Sequence, residues 1–142
     1  MVMARMTTGF AVIGDSQHLP GYSLLLCDDP RVDHLTDLPR SRRREFLFEM
    51  SLIGEAIETV CRPRGLRRVN YEVLGNKLGH LHAHVHPRYD WEAPEMVAGP
   101  VWRYPKHERD DPANAYADDT HAELRAAITK LIGRLLVEHR QP

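Results

Sequence analysis

His80-Leu81-His82-Ala83-His84-Val85-His86 alternates four imidazoles with three apolar side chains. A β-strand sends successive side chains to opposite faces. In that conformation the four histidines share one face, and Leu81, Ala83 and Val85 form the other. A helix would scatter the same residues around its axis. The stretch therefore reads as a half-buried strand whose polar face is made of imidazole. An imidazole titrates near pH ~6.5 and serves as base, acid, nucleophile or metal ligand. Four of the chain's nine histidines lie here, a concentration that marks a chemical site rather than surface decoration.

Upstream of this strand, Arg67 to Leu74 reads as another, with Val69, Tyr71 and Val73 on one face. Gly75-Asn76-Lys77-Leu78-Gly79 joins the two as a hairpin loop, and its glycines let the backbone approach a ligand closely. Earlier still, Ser41 to Cys61 reads as a helix. Phe46, Met50, Ile53, Ile57 and Val60 recur at helical spacing and form its core stripe. Leu47, Leu52 and Ala56 are expected to remain as apolar surface for a partner. The run Arg42-Arg43-Arg44 reads as a solvated face. Gly9 to Gly14 is expected as the first strand. Tyr22 to Cys27 follows as the second, apolar enough for burial on both faces.

Downstream, Tyr89 to Ala117 lacks periodicity and holds Pro94, Pro100, Pro105 and Pro112. It reads as an arm ordered around Val101-Trp102-Arg103-Tyr104 and mobile from Lys106 to Asn114. Thr120-His121-Ala122-Glu123 has the form of a capping box opening a last helix, whose stripe is Leu124, Ile128, Leu131 and Leu135.

At 142 residues the chain is expected to form one domain with a substantial core. Its 42% apolar and 27% charged residues are those of an ordinary globular protein. A formal net charge of −1 offers no electrostatic case for nucleic-acid binding. Sixteen of the nineteen basic residues are arginine, the rest being Lys77, Lys106 and Lys130. Cys27 and Cys61 have no metal-ligand spacing and read as reduced thiols. With no secretion-like start and no apolar run of membrane-spanning length, the expected compartment is the cytoplasm.

The histidine strand resembles the signature of the histidine-triad (HIT) family of nucleotide hydrolases and transferases, His-φ-His-φ-His-φ-φ, where φ is apolar. His80 to Val85 fill six positions, and His86 stands where an apolar residue is usual. Pro87-Arg88 also follows the family. A register built on His82, His84 and His86 would put Pro87 and Arg88 in the apolar positions, which rules that register out. Gly75-Asn76-Lys77 is similar to the family's Gly-Gln-Ser/Thr phosphate loop, with Lys77 in place of Ser or Thr. Leu19-Pro20-Gly21-Tyr22 to Leu26 resembles its Pro-Gly-His strand, with Tyr22 in place of histidine and His34 downstream. Val69 to Asn76 resembles a branch of diadenosine-tetraphosphate hydrolase-like proteins.

The resemblance spans residues 8 to 104 and implies an α+β HIT-like fold. That fold is an antiparallel sheet with a long helix packed on it and a C-terminal helix, here about residues 120 to 138. It implies a nucleotide hydrolase that attacks the α-phosphate of a dinucleoside polyphosphate or related conjugate and releases a nucleoside monophosphate. His82 would be the nucleophile, fixed by the main-chain carbonyl of His80 and forming a nucleotidyl-histidine. His84 would lie at the bridging oxygen, where histidine rather than glutamine favours hydrolysis. Asn76 and Lys77 would hold phosphate oxygens. No cofactor and no resident metal are expected. The expected partners are a nucleotide and a second copy of the chain, with neither nucleic acid nor membrane. Two alternatives stay open: a nucleotide-binding sensor without turnover, and a metal-binding histidine strand. By itself His86 reads as an exposed histidine at a strand end.

Overall fold

The structure is a computed structural model that describes residues 1–139. Five antiparallel strands form one sheet in the order β1-β2-β3-β5-β4. They are β1 (Val2–Arg5), β2 (Gly9–Ile13), β3 (Ser23–Cys27), β4 (Leu66–Glu72) and β5 (His82–Tyr89). The histidine strand is therefore interior, paired with β3 on one side and β4 on the other. Opposite it stand Leu24 to His84, Leu26 to His82, Asn70 to His86 and Glu72 to His84. Directly paired residues share a face, so this register sets which strand side chains flank the imidazoles.

The inner face carries Ala11, Ile13, Leu25, Cys27, Ala83 and Val85, all buried. Helix α1 (Arg40–Cys61) covers it with Phe46, Ile53 and Ile57. The stripe read from spacing is met at those three positions, while Met50 and Val60 are only partly buried. Leu52 and Ala56, expected as leftover surface, are 5% and 0% exposed. They pack inside the protomer because the helix is covered on two sides, by the sheet and by the last helix. Leu47 does remain exposed. The arginine run is not merely solvated either. Arg42 pairs with Asp28, and Arg43 donates to the carbonyls of Leu35, Thr36 and Leu38.

Strand β1 was not legible in the sequence, since four residues carry too little pattern to mark a strand. It is held through a buried carboxylate on α1. Glu49 accepts from the main-chain N–H groups of Thr7 and Thr8 and from the Thr8 hydroxyl in the β1–β2 turn. Strand β3 is buried on its inner face only. Leu24 and Leu26 on its outer face are half-buried, because the long helix α1 packs on the other side.

After β5 the chain crosses back over the outer face. It forms α2 (Pro94–Val97), a 3-10 turn at Val101–Arg103, α3 (Lys106–Arg109) and a second such turn at Pro112–Asn114. The stretch from Lys106 to Asn114, expected to be mobile, is tied to the β2–β3 loop. Ser16 Oγ donates to Arg109 O at 2.5 Å, Gln17 N to Asn114 O at 2.6 Å and Tyr116 N to Asp15 O at 2.7 Å. These bonds lie outside any periodic pattern, so nothing in the residue spacing marks them. The arm is anchored at its other end by Arg88, 1% exposed, whose guanidinium pairs with Glu92 and donates to Gly99 O and Met96 O. Tyr104 adds its hydroxyl to Glu92 at 2.8 Å.

Helix α4 (Asp118–His139) packs on α1 and β1. It begins ahead of the Thr120 capping box, so Thr120 lies inside the helix. Its buried residues are Leu124, Ile128 and Ile132, with Leu131 and Leu135 only partly covered. None of the described helices is long and apolar enough to cross a membrane.

Candidate functional site

Strand alternation puts His82, His84 and His86 on the outer face of β5, with His80 just before the strand. Each ring is oriented by a different partner. His80 Nε2 donates to the Cys27 carbonyl at 2.9 Å. His82 Nδ1 donates to the His80 carbonyl at 2.6 Å. A main-chain carbonyl only accepts, so the neutral form of His82 has its hydrogen on Nδ1 and its lone pair on Nε2. His84 Nδ1 lies 2.6 Å from the Tyr22 hydroxyl. The His82 and His84 rings are 4.9 Å apart and nearly perpendicular.

These two imidazoles line a cavity of about 320 Å³ with Leu74, Gly75, Asn76, Lys77, Leu78, Trp102 and Arg109. Asn76 and Lys77 are exposed side chains on the loop before His80. The site residues read from the sequence therefore converge. His82, His84, Asn76 and Lys77 share one cavity, and His80 contributes its carbonyl beneath it.

Burial makes the far end of the strand different. His86, expected as an exposed strand-end residue, is 4% exposed. It lies under Tyr22, stacked at 4.2 Å and 5°, with the edge of Trp102 against it at 5.5 Å. The correction has a simple cause. The arm and the β2–β3 loop close over a position that would be open on a bare hairpin. Burial, aided by His84 and by the cations Arg88 and Arg109, pushes the His86 pKa down to about 3. Burial and the neighbouring His82 push that of His84 down to about 4. Both rings are neutral at pH 7. Burial raises the Tyr22 phenol above its usual value, and Asp15 and Glu72 add to the effect.

Trp102 is the wall of the site. Its indole N–H donates to the Glu72 carboxylate, its ring meets His84 edge-on at 5.2 Å, and Arg109 lies over it at 5.0 Å. Behind Trp102 is a second cavity of about 220 Å³, lined in part by Asp15, His18, Tyr22, His86 and Arg109. The Nε2 atoms of His18 and His86 are buried without a hydrogen-bond partner among the described residues.

Sequence reasoning missed Trp102, Arg109 and His18 as neighbours of the triad. Only the aromatic pair Trp102 and Tyr104 in a proline-rich arm could have hinted at a wall. His34, in line with the downstream histidine of the resemblance, is instead a largely exposed side chain beside Asp33. Among the described residues, no three His, Cys, Asp or Glu side chains converge as a metal site. Cys27 and Cys61 are buried free thiols.

Solved structures share this architecture. A histidine triad protein from Marinobacter aquaeolei VT8 matches with a TM-score of 0.77 at 21% identity, over 95% of this chain and 90% of that one. A histidine triad (HIT) protein from Sinorhizobium meliloti 1021 matches with 0.75 at 19%, over 92% and 87%. A hypothetical histidine triad nucleotide-binding protein from Sulfolobus tokodaii strain7 matches with 0.68 at 13%, over 94% and 84%. At these identities the likeness is one of fold. No curated protein matches the chain. The HIT domain family model matches residues 9–91, from β2 through the whole of the histidine strand. By that match, over more than half its length, the chain belongs to the histidine-triad (HIT) family.

Proposed function

We propose that the chain is a nucleotide hydrolase acting at an α-phosphate through a covalent histidine intermediate. The observation that carries this reading is the fixed tautomer of His82, whose lone pair on Nε2 belongs to a ring lining an open cavity beside Asn76 and Lys77. Family membership supports nucleotide chemistry in general. In the proposed first step the Nε2 lone pair attacks the α-phosphorus. The bond from phosphorus to the leaving oxygen breaks, and its electron pair goes to that oxygen. The His80 carbonyl holds the Nδ1 hydrogen while the ring carries positive charge. In the second step water attacks phosphorus, the phosphorus–nitrogen bond breaks, and its electron pair returns to Nε2. Water gives up one proton to the solvent, and a nucleoside monophosphate leaves. One difficult displacement becomes two easier ones.

Asn76 supplies a neutral donor to phosphate oxygens and Lys77 a charged one, which favours polyphosphate substrates over monoanionic conjugates. Leu24 and Leu26, beside His84 and His82, continue through Val12 and Phe10 of β2 as an apolar floor suited to a nucleoside. A dinucleoside polyphosphate of the diadenosine-tetraphosphate type joins both features in one molecule. The chain is read further as one HIT-like domain, cytoplasmic and homodimeric, needing no cofactor.

The test is a hydrolysis panel of dinucleoside polyphosphates and nucleoside phosphoramidates. His82→Ala should cost at least about a thousandfold in kcat, as removal of a covalent nucleophile does. Circular dichroism should show an unchanged fold. An alkaline quench of the wild type during turnover should leave a nucleotidyl adduct on His82, detectable by mass spectrometry. Turnover by His82→Ala within about tenfold of wild type would sink the covalent route.

A further inference from the structure

Two of the positions that depart from the family pattern, Tyr22 and His86, touch in the folded chain. Their rings stack at 4.2 Å and 5°. The tyrosine hydroxyl then reaches 2.6 Å to Nδ1 of His84, the ring between His82 and His86 on the same face. We propose that Tyr22, held in place by His86, is a positioning residue that fixes the tautomer of His84, so that its hydrogen sits on Nε2 and faces the leaving group. This rests on the hydrolase reading only for what the hydrogen is used for.

The direction of the bond follows from the partners. At pH 7 both groups are neutral, so the bond is either phenol to imidazole or imidazole to phenol. Among the described residues the Tyr22 hydroxyl has only His84 Nδ1 as a partner. Were Nδ1 the donor, the phenolic hydrogen would have no acceptor among the described residues and a hydrogen bond would be lost. An imidazole nitrogen is also the better acceptor and a phenol the better donor. The hydroxyl therefore donates, Nδ1 accepts, and the one hydrogen of the neutral ring is on Nε2.

His82 is set the opposite way, by a carbonyl that can only accept. Adjacent rings thus present unlike edges to one cavity, a lone pair on His82 and an N–H on His84. That pairing suits displacement at phosphorus. The His84 N–H can bond the bridging oxygen as charge develops there, and no proton need be transferred. Such a donor counts most when the leaving group is basic.

The tyrosine cannot easily turn away. Gly21 before it has φ +97°, a conformation that side chains rarely adopt, and a Cβ there would lie 3.0 Å from Cys61 Sγ. Buried Gln17 braces the turn. Its side chain accepts from Gly21 N at 2.8 Å and donates to the Gly14 and Tyr22 carbonyls at 2.9 and 3.0 Å. With the main chain fixed and one ring face covered by His86, the hydroxyl has little freedom except to meet His84.

The test is Tyr22→Phe in the full chain, which keeps the ring and the stack and removes only the hydroxyl. Nitrogen-15 spectra of the histidine side chains, with His84 assigned by comparison with His84→Gln, read the tautomer without any substrate. The wild type should show His84 protonated on Nε2 alone. Tyr22→Phe should move it to a mixture of tautomers. His86→Phe, which keeps a flat ring under Tyr22, should leave it as in the wild type.

Kinetically, Tyr22→Phe should lower kcat about tenfold or more for a dinucleoside polyphosphate, with KM little changed. For a nucleotide p-nitrophenyl ester, whose leaving group needs no help, the loss should be under about threefold. A wild-type His84 protonated on Nδ1, a spectrum unmoved by Tyr22→Phe, or an equal rate loss on both substrates would each overturn the proposal. If the wild type turns over nothing, the hydrolase reading falls, and the spectra alone still decide what Tyr22 does.

Discussion

His86 shows how burial rewrites a single residue. Its folded pKa of about 3 lies well below the ~6.5 of a free imidazole. As pH falls below 6.5 the unfolded chain takes up this proton first, so acid favours unfolding. The stability that the neutral ring contributes is complete above that pH and is lost on the way down to about 3. His86→Phe keeps a flat ring against Tyr22 and removes the titration. Urea unfolding at fixed protein concentration should show the variant gaining on the wild type by roughly 3 kcal/mol between pH 7 and pH 4. Parallel pH profiles for the two proteins would show that His86 does not take up a proton on unfolding.

At the scale of elements, the arm from α2 to α3 turns an open sheet face into a walled site. Its anchor is the Arg88–Glu92 pair, 1% and 0% exposed at the side chains, with Tyr104 and Tyr89 N completing the carboxylate's bonds. Removing one partner of a buried pair leaves the other charge uncompensated, which typically costs about 3–5 kcal/mol. Arg88→Met should show a loss of that order. It should also free Trp102 from His84 and Glu72, seen as a red shift of indole emission in a Trp91→Phe background. Turnover should fall with it, since Trp102 walls the cavity shared by His82 and His84. A variant as stable as wild type, with unchanged emission, would mean the arm is held from its far end by the bonds of residues 109 to 116 to the β2–β3 loop.

For the whole molecule, the sheet order leaves β1 and β4 as its two edges. An unpaired edge is a template for another chain. β4 exposes Arg67, Arg68 and Tyr71 rather than a flat apolar row. The Tyr71 ring lies over Gly54 of α1, where a Cβ would come within 2.0 Å of its hydroxyl. Strand and helix are thereby joined on the flank of α1 that carries exposed Leu47. The proposed homodimer would use this surface. Sedimentation velocity at micromolar concentration should give the mass of two chains, and Tyr71→Glu should shift it toward one. A monomer at that concentration would remove the dimer.

What the chain determined by itself is what depends on local geometry. The two-residue period is enough to align the imidazoles of His82, His84 and His86, because a strand permits no other arrangement, while His80 falls just before the strand. The helical spacing of Phe46, Ile53 and Ile57 likewise needs no knowledge of what they pack on. The Gly75 to Gly79 loop could be set beside the triad because the hairpin partners are adjacent in sequence. Tertiary structure alone decided the contacts between distant segments. Tyr22 meets His84 across 62 positions because β3 pairs with β5. Trp102 reaches Glu72 across 30 because the arm folds back over the sheet. The burial of Leu52 and Ala56 depends on α4, and that of His86 on the arm. No periodicity encodes either, since each side chain obeys the same local pattern whether or not a later segment comes to cover it.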